Sequence, residues 1–330
     1  MQFKFSTGVW VFGPGVERFS PKGYREDYPI VKRIELASKV KGLQGLEFHY
    51  PTEVSHENLD EVKEALKKYD LKPVIIFPHI FHEPKWKRGA LAALDETTRK
   101  EAVRISKETK DIAEELGAEM IGIWPGRDGF DYPFQVNYLK LWDNFINSLK
   151  EIVEYKPDIK VALEYKLEDP QSYLIMGNSG RAMAIIQEIG SDNVGVNLEV
   201  AHALIARENV AETVVFLARR RRLFHLHLND TFRHFDNDLI FGSVNFVELM
   251  EMVYWLVEMN YDNWFGIDVF PTVEDPADVV QESISNVLLA YKLLERIGFK
   301  ELREFLNKAD PIASQRFIRE RLFGDIAKEL

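Results

Sequence analysis

The sequence contains no cysteine, which excludes disulfide bonds and thiolate zinc sites. It also has no apolar run approaching the about 20 residues that a membrane-spanning helix needs, so we expect no membrane partner. The first residues, MQFKFSTGVW, lack the basic and then apolar leader of a secretory signal. These absences together favour a cytoplasmic protein.

Basic charge is scarce as well. The 330 residues carry a formal net charge of −11, and the one basic run is Arg219 to Arg222. Affinity for nucleic acid depends on clustered Lys and Arg side chains that face phosphates, so we expect no nucleic-acid partner. A short basic run is instead typical of the solvated carboxyl end of a helix, where positive charge stabilises the helix dipole.

Short apolar runs alternate with longer amphipathic runs along the whole chain. Leu59, Val62 and Leu66 recur at the three- and four-residue spacing of a helix with one buried face. Two further helical runs end at Gly117 and Gly190, residues that suit the left-handed position after a helix. Eight runs are strand-like: 3–10, 44–50, 72–80, 119–125, 159–165, 193–200, 223–229 and 263–270.

Eight strand–helix units predict a single (β/α)8 TIM barrel of the α/β class, which we assign to residues 1–300. A doubly wound open sheet is the competing fold, but no G-x-G-x-x-G motif follows the first strand. Residues 301–330 are too few for an independent core, and we expect them to form a short helical tail.

Polar residues stand at the ends of four successive strands. Glu164, Glu199, His227 and Asp268 close the fifth to eighth runs, and TIM barrels build their active sites at that face. Because side chains alternate along a strand, His225, His227 and Asn229 share one face, which we expect to be the inner one. Phe224, Leu226 and Leu228 then share the outer face.

Several carboxylates would meet in one cleft if the barrel closes. Asp236 and Asp238, in the loop after the seventh strand, would join the three strand-end acids. Unpaired carboxylates repel and raise the pKa of one another, so the cluster predicts bound cations. Oxygen-rich ligands with one or two imidazoles suit Mg²⁺, Mn²⁺ or Co²⁺, and two divalent ions would nearly neutralise the cleft. We interpret His225 and Asn229 as supports of the ligands.

Four motifs in this order resemble the xylose isomerases, sugar isomerases built on a TIM barrel with two divalent metals. The motifs are WPGRDG (124–129), LEYK (163–166), NLEVAH (197–202) and FHLHLN…FDNDLIFG (224–242). The resemblance implies a hydride shift between carbons 1 and 2 of an open-chain sugar, of the D-xylose or D-glucose type or of the L-rhamnose type. It also implies a homo-dimer or homo-tetramer.

The resemblance also implies roles for individual residues. One metal would be held by Glu164, Glu199, His227 and Asp268, and the other by Glu199, His202, Asp236 and Asp238. Lys166, His49 and Asp236 would be catalytic, with Lys166 at the sugar carbonyl and His49 in ring opening. Trp10, Trp86 and Trp124 would line the substrate site together with His49 and Lys166.

Three positions depart from the xylose isomerases. The xylose isomerases carry an aspartate where this chain has His227. A histidine at this position is instead similar to the L-rhamnose isomerases. A run of aspartates follows their ring-opening histidine, whereas Tyr50, Pro51 and Thr52 follow His49 here. Phe270, two residues after Asp268, stands where the xylose isomerases have a lysine. These departures concern the choice of sugar and metal more than the two-metal chemistry.

Three other functions are compatible with a barrel of this kind. A ketose 3-epimerase uses one metal and two opposed glutamates, one near the end of the eighth strand, where this chain has Asp268. An endonuclease-like barrel is disfavoured by the acidic balance. A catalytically silent sugar-binding barrel is disfavoured because Lys166, His49 and both metal sets are present.

Overall fold

Eight parallel strands form a closed barrel in the computed structural model, which describes residues 2–324 and 327. The strands pair in the order β1, β8, β7, β6, β5, β4, β3, β2. The (β/α)8 TIM-barrel prediction is therefore confirmed. The strands are β1 (Phe5–Gly8), β2 (Leu43–Tyr50), β3 (Lys72–Pro78), β4 (Met120–Ile123), β5 (Lys160–Glu164), β6 (Val194–Glu199), β7 (Leu223–Leu228) and β8 (Phe265–Ile267).

Helices surround the barrel. Asp95 accepts a hydrogen bond from the Thr98 amide at the start of α3, and Gly117 follows that helix with a φ of 86°. Both are the ends that the sequence predicts. The helices are α1 (Ile30–Ala37), α2 (Leu59–Lys68), α3 (Glu96–Leu116), α4 (Tyr138–Glu154), α5 (Ser179–Ile189), α6 (Val200–Ile205), α7 (Val210–Ala218), α8 (Phe246–Glu258), α9 (Pro276–Ile297), α10 (Phe299–Leu306) and α11 (Pro311–Phe323).

The chain after α9 continues as helices α10 and α11. Arg303 of α10 pairs with Glu258 of α8 at 2.7 Å, and Phe305 stacks on Phe317 with ring centroids 4.4 Å apart. The predicted helical tail, 301–330, extends to residues 325–326 and 328–330, which lie outside the described residues. Across residues 2–324, no helix is long and apolar enough to cross a membrane.

Two hydrophobic clusters fill the molecule. The larger one packs the outer faces of the strands against the helices. The smaller one consists of Val74, Ile75, Phe77, Met120 and Ala162, with Phe224 packed against it. Phe224 lies against Gly195 of β6, which shares the inner face of that strand with Glu199. The prediction that Phe224 lies on the outer face is therefore wrong, because the register of β7 against β6 shifts between Val196 and Asn197. Such an irregularity changes which face a side chain occupies.

Outside the barrel, a two-stranded antiparallel sheet joins the loops that follow β4 and β5. It pairs Gly129–Phe130 with Tyr173–Leu174. Short 3-10 helices at Val9–Phe12 and Pro84–Trp86 follow β1 and β3. All these segments leave the carboxyl ends of strands, so they build up the same face of the barrel.

Candidate active site and metal centre

A cavity of about 260 Å³ opens at the carboxyl ends of the strands. Glu164 and Glu199 are the last residues of β5 and β6, and Asp268 directly follows β8. Parallel pairing brings Glu199 level with His227, so neighbouring strands deliver their polar ends to one place. The cavity is lined by Trp10, His49, Phe77, Pro78, Phe81, His82, Trp124, Glu164, Lys166, His202, His227, Asp236, Asp238, Asp268 and Phe270.

The first potential ligand group surrounds Nδ1 of His227. Oε2 of Glu164 lies 3.1 Å from this nitrogen, and Oδ2 of Asp268 lies 3.2 Å from it. Asn197 donates a hydrogen bond of 2.7 Å to Glu164, and the Trp10 indole donates one of 2.9 Å to Asp268. Each carboxylate is therefore positioned by a hydrogen bond from a neighbouring side chain.

The second group lies around His202, at the start of α6. Nε2 of His202 is 3.0 Å from Oδ2 of Asp236, and its Nδ1 is 3.2 Å from Oε2 of Glu199. Glu199 also accepts the His202 amide, so it is both the end of β6 and the N-cap of α6.

Asn229 joins this group to the loop that follows β7. Its amide nitrogen donates to Glu199 and to Asp238, the latter over 3.1 Å, and its oxygen accepts the Ala201 amide at 2.9 Å. Through these contacts Asn229 would support the candidate ligands Glu199 and Asp238, as the sequence predicts.

The pKa values of the buried carboxyl groups indicate whether this cluster suits bound cations. Burial, Asp236 and Glu164 raise the pKa of Glu199 to about 7, although His202 opposes this. Burial, Asp236 and Asp268 raise the pKa of Asp238 well above its usual value. The ionised forms of both groups are thus unfavourable while no cation balances them.

Unpartnered atoms point to the same conclusion. Among the described residues, the buried atoms Nδ1 of His202, Nδ1 of His227 and Oδ1 of Asp236 make no hydrogen bond of normal geometry, although carboxylate oxygens lie 3.1 to 3.2 Å from the two imidazole nitrogens. Buried polar atoms are normally satisfied, so each of these is available to a ligand. Carboxylate and imidazole donors in this mixture fit divalent Mg²⁺, Mn²⁺ or Co²⁺.

Lys166 lies beside the second group, with only 5% of its surface exposed. Its Nζ is 2.9 Å from Asp236 and 3.0 Å from Asp169, and it lies 5.4 Å from the centre of the Trp124 ring. Burial would lower the pKa of Lys166, but Asp236 and Asp169 raise it above its usual range. The ammonium group is therefore charged at neutral pH.

His49 lines the opposite wall, against Trp10, with ring centroids 4.4 Å apart. Oε2 of Glu53 accepts the His49 amide at 2.7 Å and lies 3.2 Å from its Nδ1. The sequence analysis missed this partner because it looked for carboxylates directly after the histidine, where Tyr50, Pro51 and Thr52 stand. Glu53, four residues on, provides one after the chain has turned.

The aromatic wall differs in part from the prediction. Trp10 and Trp124 line the cavity, whereas Trp86 does not; its side chain is fully buried in the larger hydrophobic cluster. Its 3-10 helix turns the ring towards the protein interior. The wall is instead completed by residues that the sequence analysis did not assign to it, Phe77, Pro78, Phe81 and His82. Phe81 and His82 follow the end of β3, a position that marks site residues in this fold.

Glu47 is a further residue that the sequence analysis missed. It is fully buried on β2, and its carboxylate accepts hydrogen bonds from Ser6 (2.7 Å), His225 (3.0 Å) and His227 (2.8 Å). Burial would raise the pKa of Glu47, but His225 and His227 hold it well below its usual range. The predicted support of His227 by His225 therefore runs through a shared carboxylate.

Comparison with known proteins identifies the family of this chain. Residues 34–290 match the model of the family described as xylose isomerase-like TIM barrel. The chain is 30% identical over 281 residues to a xylose isomerase of Thermus thermophilus. The aligned region covers 78% of this chain and 69% of that protein.

Two solved structures share the fold. A D-tagatose 3-epimerase-like protein superposes with a TM-score of 0.68 and 23% identity, covering 87% of this chain and 97% of its own. An L-ribulose 3-epimerase superposes with a TM-score of 0.69 and 14% identity, covering 89% and 96%. From the family match, which spans most of the barrel, we conclude that this chain belongs to the xylose isomerase-like TIM-barrel family.

Proposed function

We propose that this protein is an aldose–ketose isomerase that moves a hydride between carbons 1 and 2 of an open-chain sugar with two divalent metal ions. The observation that carries the proposal is the juxtaposition of two potential ligand groups with a charged lysine on the wall of one small cavity. At about 260 Å³, the cavity is below the about 300 Å³ at which pockets for drug-sized ligands begin, which favours a monosaccharide.

Two sets of residues would hold the ions, as the resemblance implies. Glu164, Glu199, His227 and Asp268 would form one set, and Glu199, His202, Asp236 and Asp238 the other. When bound, the ions would polarise the sugar oxygens at carbons 1 and 2 and stabilise the negative charge that develops there.

The remaining chemistry belongs to side chains. The Lys166 ammonium would donate a hydrogen bond to the sugar carbonyl oxygen, where its fixed charge favours the transition state. His49 would act on the ring oxygen during ring opening. Glu53 faces its Nδ1, so the other ring nitrogen is the one free to meet the sugar. Trp10, Trp124 and Phe77 would keep bulk water away from the migrating hydride.

A single-metal ketose 3-epimerase is the alternative, and the arrangement of two carboxylates around His227 favours it. Glu164 and Asp268 both lie close to Nδ1 of His227, at 3.1 and 3.2 Å, so two carboxylates meet at one potential metal position. An epimerase needs such a pair to remove a proton on one face of the sugar and return it on the other. His202, Asp236 and Asp238 would have no metal ion to hold in that reaction, which is why we favour isomerisation.

The experiment that tests the proposal follows a label. Metal-stripped protein is reconstituted separately with Mg²⁺, Mn²⁺ and Co²⁺ and given a panel of aldoses that carry deuterium at carbon 2. Ketose with the deuterium retained at carbon 1, detected by NMR, is the expected product. If only ketoses react, with inversion at carbon 3, the epimerase alternative is correct.

A matched variant connects the result to the second metal. Asp238→Asn removes one carboxylate of the His202 group and leaves the His227 group intact. We expect it to abolish isomerisation, whereas an epimerase that depends on the His227 group alone would retain its activity. Size-exclusion chromatography with light scattering tests the predicted homo-dimer or homo-tetramer.

A further inference from the structure

We propose that Glu47 is a positioning residue that holds His227 with its proton on Nε2, so that Nδ1 is presented to a metal ion. The inference deepens the proposed function, because it rests on His227 as a metal ligand. It concerns the orientation of the imidazole, which is set before any sugar binds.

The hydrogen bonds of Glu47 leave little freedom. A carboxylate can only accept, so the contact of 2.8 Å between Oε2 and Nε2 of His227 requires a proton on that nitrogen. The other oxygen, Oε1, accepts from Ser6 at 2.7 Å and from His225 at 3.0 Å. Because both oxygens are occupied by donors, the carboxylate cannot rotate away without losing a buried hydrogen bond.

The opposite nitrogen of His227 faces the cavity. Its Nδ1 makes no hydrogen bond of normal geometry and lies 3.1 Å from Oε2 of Glu164 and 3.2 Å from Oδ2 of Asp268. Without Glu47, those two carboxylates would compete for the imidazole proton and draw it to Nδ1, where it would block a metal. Glu47 favours the tautomer in which the lone pair lies on the metal side, as outer carboxylates do for metal-bound histidines.

Glu47 forms a compact group with His225 and His227. We assign it to hydrogen bonding and not to metal binding, because this space is already filled. All three side chains are at most 2% exposed, and Gly266 of β8 leaves just enough room for them. A Cβ at Gly266 would lie 2.6 Å from Oε1 of Glu47 and 2.9 Å from Nε2 of His225. Direct hydrogen bonds therefore already fill this space.

The test compares Glu47→Gln with the wild type. A glutamine of the same shape has one accepting and one donating end, so it cannot accept from both histidines. We expect affinity for Mn²⁺ at the His227 site to fall by about 10- to 100-fold, measured by calorimetry, with the His202 site unchanged. Ser6→Ala is the matched control, because it removes one hydrogen bond from Glu47 and leaves both imidazole contacts; we expect less than a threefold change.

A spectroscopic readout separates orientation from charge. In Mg²⁺-loaded wild type, the ¹⁵N shifts of His227 should report a proton on Nε2 and none on Nδ1, and Glu47→Gln should lose this pattern. If Glu47 acts only through its negative charge, its substitution will weaken Mn²⁺ binding equally when His227 is already Ala. We expect the effect of Glu47→Gln to disappear in that background.

An unchanged tautomer in Glu47→Gln would overturn the inference. Additive effects in the double variant, or wild-type protein that binds no divalent metal, would overturn it as well. A further Mn²⁺ equivalent that disappears in both Glu47→Gln and His225→Phe would also overturn it, because Glu47 would then be a ligand. Metal binding with the expected tautomer but no sugar turnover would refute the proposed isomerase and leave this inference standing.

Discussion

In the metal-free protein, we expect the free energy of unfolding to fall as the pH rises. The raised pKa of Glu199 is the reason for this expectation. The pKa of Glu199 is raised from 4.5 to about 7 by burial and by neighbouring carboxylates. Between these two values, the folded state binds more protons at this site than the unfolded state does. The free energy of unfolding therefore decreases with increasing pH in that window.

The size of the effect follows from the shift. At about 1.4 kcal/mol per pKa unit, the displacement of Glu199 corresponds to about 3 kcal/mol in total, most of it between pH 5 and pH 8. His202 acts in the same direction at higher pH. Burial would lower the pKa of His202, but Glu199 and Asp236 raise it to about 9. Its stabilising contribution is thus present below its ordinary value of 6.5 and is lost as the pH rises through about 9.

The assay is urea unfolding of the metal-stripped protein from pH 5 to pH 8, beside Glu199→Gln. Glutamine is neutral throughout, so subtracting the two curves removes the titration of groups that do not interact with Glu199. The difference reports the titration of Glu199 together with its effect on His202. We expect the wild type to lose about 2 to 3 kcal/mol more than the variant. Mn²⁺ at 100 times its dissociation constant should restore about 2.7 kcal/mol, provided that the site is ionised. Parallel curves for the two proteins would refute the reasoning.

Three other predictions concern separate parts of the molecule. Lys166→Met should lower kcat for the aldose about 100- to 1000-fold, as loss of one fixed transition-state donor does, while calorimetry still detects Mn²⁺ binding. Glu53→Gln should lower turnover of ring-closed sugars and leave Mn²⁺ affinity unchanged, since His49 belongs to neither ligand group; equal loss with an open-chain substrate would contradict this. Gly195→Ala places a Cβ 2.5 Å from Cγ of Phe224, so it should destabilise the fold by about 1 to 3 kcal/mol in urea, and Phe224→Leu should relieve most of that.

Local sequence patterns were sufficient for most of the architecture. The helix Ser179–Ile189 begins and ends where its periodicity and Gly190 predict, because capping and backbone conformation depend on residues close in the chain. Glu164, Glu199 and Asp268 were identified by their place at strand ends, which requires only that the strands run parallel. Phe224 was assigned to the wrong face because a register shift, set by packing against β6, interrupts the alternation.

Partnerships across the barrel could be read only from the closed structure. Glu47 on β2 meets His225 and His227, which are 178 and 180 residues away on β7. The two strands are not neighbours in the sheet, since β1 and β8 separate them. Periodicity predicts the face of a side chain where the strand is regular, but the meeting of two side chains across the interior depends on strand register and barrel closure. Individual candidate ligands could therefore be named from strand ends, whereas the carboxylate that we propose orients one of them emerged only from the assembled barrel.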